Sequence, residues 1–459
     1  MPVPFRLVLS ALLVAVLGFA VVAVVGGRGG SGGGDPSRAT ATRPSLTPGV
    51  SPSALADVLG SASDGADRAS PGPSASAAGA TDRSAPSGGK PAAATSCALA
   101  RVGAMSIEQQ AGQVMMIGVP VTNPRSAIPL VRQSQLGGVF LAGRSTQSAS
   151  GLREDLRAVQ DAARHDVGIG VHIGVDQEGG QVQTLRGPGF EAIPSAVQQG
   201  RWDPATLRAR TAAWASTLAG AGLTLDLAPI ADTVAPGAAR TNPPIGGYGR
   251  NFDTTPGAVA RDIGVVVPAM QNSGLLATSK HFPGLGRVHQ NTDTSAAAVD
   301  DVATTADPNL EPFRTGVSAG TAAVMVSLAR YPALDPTVPA VFSSRIVTGM
   351  LRDQLGFRGV VVSDDLGAAV AVRSVPVGER AVRFVAAGGD LVLSVRGADA
   401  APMTAALAAE AHRSPAFARR LTDAATTVLA SKVRQGLLDC PAATPASGPT
   451  PAPAKAPAR

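Results

Sequence analysis

The chain has 459 residues, of which 53 are Gly and 37 are Pro. This share exceeds what one compact domain usually carries, and it predicts that part of the chain is disordered. The formal net charge is +6, but residues 97–440 carry 30 basic and 28 acidic side chains, so positive charge is not concentrated there. Because a nucleic-acid-binding protein needs such a concentration, this class is excluded and no nucleic-acid partner is expected.

The first predicted element is an apolar N-terminal segment. Residues 7–27 read LVLSALLVAVLGFAVVAVVGG and contain no charged side chain, whereas Arg6 directly precedes them. A run of about 20 apolar residues is long enough to span a bilayer as a helix, and a preceding Arg favours a cytoplasmic N-terminus. We therefore interpret residues 1–27 as a signal anchor or as a cleaved signal peptide. Both interpretations predict an extracytoplasmic protein, attached to the membrane by this segment or secreted.

Two further segments have the composition of disordered chain. Residues 28–96 and 441–459 consist mainly of Gly, Ser, Ala, Pro and Thr, which bury too little apolar surface to offset the entropy of ordering. We interpret them as a stalk and a tail on either side of a folded domain at 97–440. Cys97 and Cys440 stand at the two ends of that domain. In an exported protein such a pair suggests a disulfide, and two buried free thiols are the alternative.

Between the cysteines, short apolar runs alternate with helical patterns. The predicted strands are 114–118, 138–142, 170–176, 224–229, 276–280, 322–327, 359–364 and 390–394. The clearest helical patterns are 204–220, 257–273, 343–355 and 375–387. Continuous apolar strands that alternate with helices indicate a parallel sheet buried on both faces. Eight such units predict an α/β fold, a single (β/α)8 TIM barrel, with an open doubly wound sheet as the alternative.

Ionisable side chains gather where several of these strands end. They are Asp176, Glu178, Asp232, Lys280, His281, Asp364 and Asp365. In a barrel these strand ends meet at one face, which is the face that carries active sites. The five His residues lack metal-ligand spacing, and no GxGxxG follows the first predicted strand. We therefore expect neither a metal nor a cofactor.

Three motifs in this region point to a known family. They are GVDQEGGQVQTLRGPGFEAIPS (174–195), KHFPGLGRVHQNTDTS (280–295) and GFRGVVVSDDLGAAV (356–370). Together they make residues 100–440 resemble the family 3 glycoside hydrolases, and within them the bacterial β-N-acetylglucosaminidases of peptidoglycan turnover. The resemblance implies a (β/α)8 barrel and a retaining exo-glycosidase that removes terminal β-linked N-acetylhexosamine. It also implies a carbohydrate substrate from cell-wall glycan, and we expect a monomer.

The resemblance assigns roles to individual residues. Glycoside cleavage needs a carboxylate beside the anomeric carbon and an acid that protonates the leaving oxygen. The position of the nucleophile matches Asp364. The positions that hold the hydroxyl groups of the sugar match Asp176, Arg250, Lys280 and His281. Three further residues are expected to contact these side chains without touching the sugar, namely Glu178, Asp232 and Asp365.

The chain departs from the family pattern at the acid. Related enzymes read KHFPGHG followed by an Asp-Ser-His triplet, but this chain has Leu285 in the motif and an Asn-Thr-Asp sequence at 291–293. The acid is then Asp293 itself, His289 oriented by Asp293, or a group elsewhere. If it has no acid, the domain is a catalytically impaired glycan-binding module. A β-glucosidase-type specificity is a further alternative.

Overall fold

A computed structural model describes residues 89–440 of this chain. The predicted signal segment at 1–27, most of the predicted stalk and the tail at 441–459 lie outside the described residues. Among the residues that the structure describes, no helix combines the length and the apolar character that a membrane crossing needs.

Parallel strands form the centre of the described region. They are β1 (Met115–Pro120), β2 (Gly138–Ala142), β3 (His172–Val175), β4 (Leu225–Asp226), β5 (Leu276–Phe282), β6 (Ala323–Val326), β7 (Val360–Ser363) and β8 (Val392–Ser394). The order of neighbours is β7-β6-β5-β4-β3-β2-β1-β8. A parallel bridge between Val362 and Leu391 connects the two ends of this order. The sheet is therefore a nearly closed eight-stranded barrel, as the sequence predicted, and not an open sheet.

A helix follows each strand. These helices are α1 (Ala127–Ser134), α2 (Ala149–Val167), α3 (Pro204–Gly220), α4 (Pro256–Asn272), α5 (Glu311–Ser318), α6 (Arg345–Gln354), α7 (Val377–Ala387) and α8 (Ala400–Arg413), of which α6 is a π-helix. Helices outside this repeat are Gly89–Gly103, Ile107–Gln113, Ala196–Gln199 and the C-terminal helix Pro415–Arg434. Single-turn helices are Pro124–Ser126, Ala238–Thr241, Gly246–Tyr248, Pro308–Leu310, Ala340–Phe342, Val370–Val372 and Gly397–Asp399. Two hairpins pair Gln177–Gly179 with Val182–Gln183 and Arg330–Tyr331 with Asp335–Pro339.

Local sequence sets the bounds of these helices. The Asp203 carboxylate accepts hydrogen bonds from the amides of Ala205 and Thr206, both at 3.0 Å, and so caps the start of α3. Pro204 occupies the first turn, where its missing N–H costs nothing. The helix α2 ends at Gly168, whose φ of 74° is readily adopted by glycine. These signals explain why the predicted helix 204–220 agrees with the structure residue for residue.

The barrel interior is filled with apolar side chains and closed at one end. Met116, Phe140, Leu227 and Met325 are among the residues of this inner cluster, and Val428 of the C-terminal helix joins them. The same helix reaches the start of β3, since Ser431 Oγ lies 2.7 Å from His172 Nε2. It therefore covers the end of the barrel where the strands begin. The opposite end, where the strands finish, is left for the site.

A disulfide and a buried lysine that donates a hydrogen bond lie at this closed end. A disulfide joins Cys97 to Cys440, with a Cα–Cα distance of 6.0 Å across 343 positions of the chain. Lys432 of the C-terminal helix is fully buried, and its Nζ donates to Gln113 Oε1 at 2.7 Å. Burial lowers the pKa of Lys432 to about 7. The fold therefore accommodates a lysine whose charge is weakly held near neutral pH.

Candidate active site

A cavity lies at the C-terminal ends of the barrel strands. It encloses about 1030 Å³ of space, which includes the solvent at its open mouth. Its apolar floor includes Phe140, Leu227, Met325 and Leu393. Its polar wall contains Asp176, Arg250, Lys280, His281, Asn291, Thr292, Asp293, Asp364 and Asp365. The structure therefore brings together strand-end residues that are far apart in sequence.

The charged wall is organised around Lys280, at the end of β5. Its Nζ lies 2.6 Å from Asp176 Oδ1 and 2.7 Å from Glu178 Oε1, and its side chain is 2% exposed. Arg250 donates to both oxygens of Glu178, at 2.8 and 2.7 Å. Burial opposes the ionisation of Glu178, but the charges of Arg250 and Lys280 outweigh it and lower its pKa to about 2. Glu178 is thus the shared counter-ion of two cations that face the cavity.

His281 is held by Asp232 and Arg250. Its Nδ1 lies 2.7 Å from Asp232 Oδ2, and Arg250 Nη2 lies 3.4 Å from its Nε2. Asp232 also accepts a hydrogen bond from the Leu285 amide at 2.7 Å, and burial raises its pKa to about 7. Burial and then the charges of Arg250 and Lys280 hold the pKa of His281 well below its ordinary value. His281 is therefore a neutral hydrogen-bonding group.

Asp364 and Asp365 follow β7 and play different parts. The Asp364 carboxylate lines the cavity and accepts a hydrogen bond from the Asp365 amide at 2.9 Å. The Asp365 carboxylate accepts from the amides of Gly367, Ala368 and Val395, at 2.8–2.9 Å. Burial and the negative charge of Asp293 raise the pKa of Asp364 to about 7. Asp364 is thus the carboxyl group available for chemistry, and Asp365 shapes the loop.

The loop after β5 carries both candidate acids, Asp293 and His289, and places them in different surroundings. Both side chains are exposed, but Asp293 lines the cavity, whereas His289 is not among the residues that line it and its Nδ1 lies 2.8 Å from the carbonyl oxygen of Thr241. The Asp293 carbonyl accepts a hydrogen bond from the amide of Val370, six residues after Asp364. Burial and then the charge of Asp365 raise the pKa of Asp293. Of the two candidates, the structure brings Asp293 and not His289 to Asp364.

The part of the chain that forms the barrel and its cavity is similar in sequence to a known protein family. Residues 106–429 match the model of the glycosyl hydrolase family 3 N-terminal domain. The chain belongs to glycosyl hydrolase family 3. The match spans the barrel from the residue before Ile107–Gln113 into the C-terminal helix, and it confirms the resemblance drawn from the three motifs.

Individual family members are similar over most of the same region. A beta-hexosaminidase of Xanthomonas axonopodis is 36% identical over 279 residues, covering 57% of this chain and 77% of that protein. The solved beta-N-acetylhexosaminidase of Beutenbergia cavernae is 45% identical, with a TM-score of 0.69, over 72% of this chain and 99% of that one. A family 3 beta-N-acetylglucosaminidase of Paenibacillus is 28% identical, with a TM-score of 0.67, over 76% of this chain and 66% of that one.

Three residues of this family 3 site were not singled out from the sequence. Asp226 is buried at the end of β4, accepts a hydrogen bond from the Gln177 amide at 3.0 Å, and has its pKa raised by burial to about 8. Asn242 Nδ2 donates to the carbonyl groups of Leu285 and Val288, at 2.7 and 2.9 Å. Tyr248 lines the cavity and is 44% exposed. Asp226 positions the segment that carries Asp176 and Glu178, and Asn242 holds the loop that carries Asp293.

The donor set of the site favours proton and carbohydrate chemistry. Among the described residues, no group of three or more His, Cys, Asp or Glu side chains is arranged to hold a metal ion. Two carboxyl groups with raised pKa values, Asp293 and Asp364, line one cavity that also presents a buried Lys and an Arg. Such a pair, when it shares one proton, provides one ionised and one protonated carboxyl group. This is the combination that double displacement at a glycosidic bond requires.

Proposed function

We propose that this protein is a retaining exo-glycosidase that hydrolyses terminal β-linked N-acetylhexosamine. The observation that carries the proposal is the placement of Asp364 and Asp293 in one cavity beside the Lys280 cluster. Its similarity to a beta-hexosaminidase and to a solved beta-N-acetylhexosaminidase supports the sugar. Membership of family 3 supports the reaction, which is hydrolysis of an O-glycosyl bond.

The two carboxyl groups divide the reaction between them. The ionised Asp364 carboxylate attacks the anomeric carbon while the protonated Asp293 gives its proton to the leaving oxygen, and the glycosidic bond breaks. The covalent glycosyl ester on Asp364 is then hydrolysed by water, from which Asp293 now removes a proton. The configuration of the sugar is retained because two inversions occur at the same carbon.

The charged wall holds the sugar during these steps. Asp176 is 30% exposed, so its carboxylate faces the cavity while one oxygen remains 2.6 Å from Lys280. The Arg250 guanidinium and the neutral His281 ring offer directional hydrogen bonds to hydroxyl groups. Because Glu178 pairs with both cations and Asp176 adds a second negative charge beside Lys280, their donors reach the cavity without an unpaired buried charge. The exposed ring of Tyr248 provides an aromatic surface at the rim.

A second candidate function is a glycan-binding module with impaired catalysis. The observation that favours it is Leu285, which is buried and lines the cavity where related enzymes carry His. On this hypothesis the Lys280 cluster binds a sugar, but proton transfer to the leaving group is too slow for natural glycosides. Glycosides that need no acid would still be cleaved, since Asp364 remains in place.

One experiment separates these functions. The wild type and Asp364→Asn are incubated with aryl β-N-acetylglucosaminides of good and poor leaving ability and with the matching aryl β-glucosides. The proposal expects turnover of both N-acetyl substrates by the wild type and none by Asp364→Asn. Cleavage of the good leaving group alone indicates the impaired module, and faster cleavage of the glucosides indicates a β-glucosidase. Full activity of Asp364→Asn would overturn the assignment of the nucleophile.

We further propose that the substrate is cell-wall glycan, that the protein acts on it outside the cytoplasmic membrane, and that the protein is a monomer. The apolar run at 7–27 and the disulfide between Cys97 and Cys440 support export. Fractionation of the native host with an antibody to the barrel tests the location, and it distinguishes a membrane-attached from a secreted form. Release of N-acetylglucosamine from purified peptidoglycan fragments tests the substrate, and light scattering tests the monomer.

A further inference from the structure

Asn242 is a buried residue that joins two loops of the cavity. We call residues 242–250, which end at Arg250, the sugar loop, and residues 285–295, which contain Asp293, the acid loop. Residues of both loops line the cavity, but Asn242 is not among them and is only 1% exposed. Asn242 therefore lies behind the wall of the site and does not reach a bound sugar.

The side-chain amide of Asn242 bonds to a different loop through each of its ends. Nδ2 donates to the carbonyl oxygens of Leu285 and Val288 in the acid loop, at 2.7 and 2.9 Å. Oδ1 accepts from the amide of Gly246 in the sugar loop at 2.8 Å, and the backbone carbonyl of Asn242 accepts from the amide of Gly247 at 2.9 Å. The side-chain partners need two donor hydrogens and one acceptor at the same position, which is what a primary amide offers. A side chain without both kinds of group removes this connection.

Each loop carries one group that acts on the glycoside. In the sugar loop, Arg250 Nη1 donates to the Pro244 carbonyl at 2.8 Å, so the guanidinium group is fixed to the turn that Asn242 begins. In the acid loop, the Asn291 side chain accepts a hydrogen bond from the Asp293 amide at 2.9 Å, so the acid is fixed to a turn of that loop. Asn242 therefore connects the segment that holds the sugar to the segment that carries the acid.

We propose that Asn242 is a positioning residue for the acid step of the reaction. By joining the acid loop to the sugar loop, it holds the Asp293 carboxyl group at the distance from the bound sugar that proton transfer to the leaving oxygen needs. This inference rests on the proposed function, which supplies the sugar and the role of Asp293. Asp364 follows β7, outside both loops, so its attack on the anomeric carbon should depend much less on Asn242.

The first test compares two substrates that differ in their need for an acid. Asn242→Leu keeps the approximate size of the side chain but can neither donate nor accept a hydrogen bond, and a misplacement of about 1 Å costs up to about 100-fold in rate. We expect kcat/KM for phenyl β-N-acetylglucosaminide to fall about 10- to 100-fold, and kcat/KM for the dinitrophenyl glycoside to stay within about threefold. The ratio kcat/KM is measured because it depends on the steps up to loss of the leaving group, and not on the hydrolysis of the glycosyl ester that follows.

A double-mutant cycle tests whether Asn242 acts through Asp293. Once Asp293→Asn has removed the acid, a residue that only positions the acid has nothing left to position. Adding Asn242→Leu to Asp293→Asn should therefore lower kcat/KM for the phenyl glycoside by less than about threefold. General damage to the site would instead multiply the two losses.

A milder variant and a matched control accompany the leucine variant. Asn242→Ser leaves room for a water molecule between the loops, so it tests the same contacts if the leucine is not accommodated, and it should give the same pattern with a smaller loss. Asn272→Leu makes the same change at the exposed last residue of α4. This control should leave kcat/KM for both glycosides within about twofold of the wild type.

Hydrogen exchange measures the positioning without any turnover. If Asn242 holds the acid loop, the amides of residues 285–295 should exchange at least about fivefold faster in Asn242→Leu, while those of the C-terminal helix Pro415–Arg434 keep their rates. A variant that is destabilised as a whole would show faster exchange in both segments.

The outcomes separate the positioning role from the function. An unchanged kcat/KM for the phenyl glycoside, equal losses on the two glycosides, or losses that multiply in the cycle would each overturn the role of Asn242, while wild-type turnover would still support the proposed function. Unchanged exchange in the acid loop, or faster exchange in both segments, would also overturn it. If the wild type does not cleave the phenyl glycoside, the proposed function fails, and hydrogen exchange alone then decides whether Asn242 holds the acid loop.

Discussion

Glu178 is the residue whose removal tests the electrostatic design of the site most directly. Glu178→Gln keeps the size of the side chain but leaves the buried Lys280 and the partly buried Arg250 without their shared anion, and only Lys280 keeps a second carboxylate partner, Asp176. A carboxyl pKa lowered from 4.5 to about 2 corresponds to about 3 kcal/mol of added stability when the group is ionised. We therefore expect Glu178→Gln to lower the free energy of unfolding at pH 7 by about 3 kcal/mol.

The pH dependence of this loss follows from the sign of the shift. Because the pKa of Glu178 is lower in the folded than in the unfolded chain, its contribution is complete above about pH 4.5 and disappears as the pH falls toward 2. The difference between wild type and Glu178→Gln should therefore shrink below pH 4.5. Urea unfolding followed by circular dichroism at pH 7 and at pH 3 measures both values.

A surface glutamate provides the matched control. Glu154 is 78% exposed and pairs with Arg125 at 3.3 Å, and exposed pairs of this kind contribute less than about 1 kcal/mol. Glu154→Gln should therefore unfold almost as the wild type does at both pH values. The reasoning fails if Glu178→Gln is no less stable than this control, or if its deficit at pH 3 equals its deficit at pH 7.

Three further predictions concern the acid, the disulfide and the buried lysine. Asp293→Asn should lower kcat by about 10²–10⁴-fold on glycosides with a poor leaving group, and much less on dinitrophenyl glycosides, which need no acid. In the same kinetic assays, kcat of His289→Ala should stay within about twofold of the wild type. Serine at both Cys97 and Cys440 should lower the free energy of unfolding by about 2–5 kcal/mol in urea. Between about pH 7 and pH 10.5, Lys432 holds its proton in the unfolded chain but not in the folded chain, so the thermal stability of the wild type should rise with pH. Lys432→Met should abolish this rise.

Each of these predictions has a result that contradicts it. Equal losses on both leaving groups would show that Asp293 does not protonate the leaving oxygen, and a large loss in His289→Ala would move that role to His289. Unchanged unfolding of the double serine variant would mean that the disulfide adds nothing to the fold. A pH slope that survives in Lys432→Met would assign the titration to another group.

The barrel was predictable from sequence because its strands are buried on both faces. Such strands appear as continuous apolar runs, and each predicted run overlaps an observed strand, with 138–142 identical to β2. The polar residues at the strand ends were predictable for the same reason, since a charge that interrupts an apolar run is costly unless it has a partner. Lys280, for example, ends a run and is paired twice within 2.7 Å.

What sequence spacing could not resolve was the path of the loop after β5. Asp293 and His289 are four residues apart in the same segment, and either could face the sugar. In the structure Asp293 lines the cavity and His289 does not. The Asn291 side chain accepts a hydrogen bond from the Asp293 amide, and its carbonyl accepts from the amides of Thr294 and Ser295, which fixes the turn that carries Asp293. Asn242, about 50 positions earlier, holds the same loop, because its side-chain amide donates hydrogen bonds to the backbone carbonyl groups of Leu285 and Val288. No local pattern connects these residues.

If Asp293 is the acid, as we propose, the site obtains its proton differently from a site that uses a histidine. A histidine near neutral pH can supply a proton from its own titration, but an ordinary aspartate is ionised there and cannot. Here, burial raises the pKa of Asp293, and burial together with the charge of Asp293 raises the pKa of Asp364 to about 7. Two carboxyl groups that interact in this way share one proton over a range of pH, so loss of that proton at higher pH removes the acid, and gain of a second at lower pH removes the nucleophile. On this proposal, the cavity that binds the sugar also makes an aspartate usable as the acid.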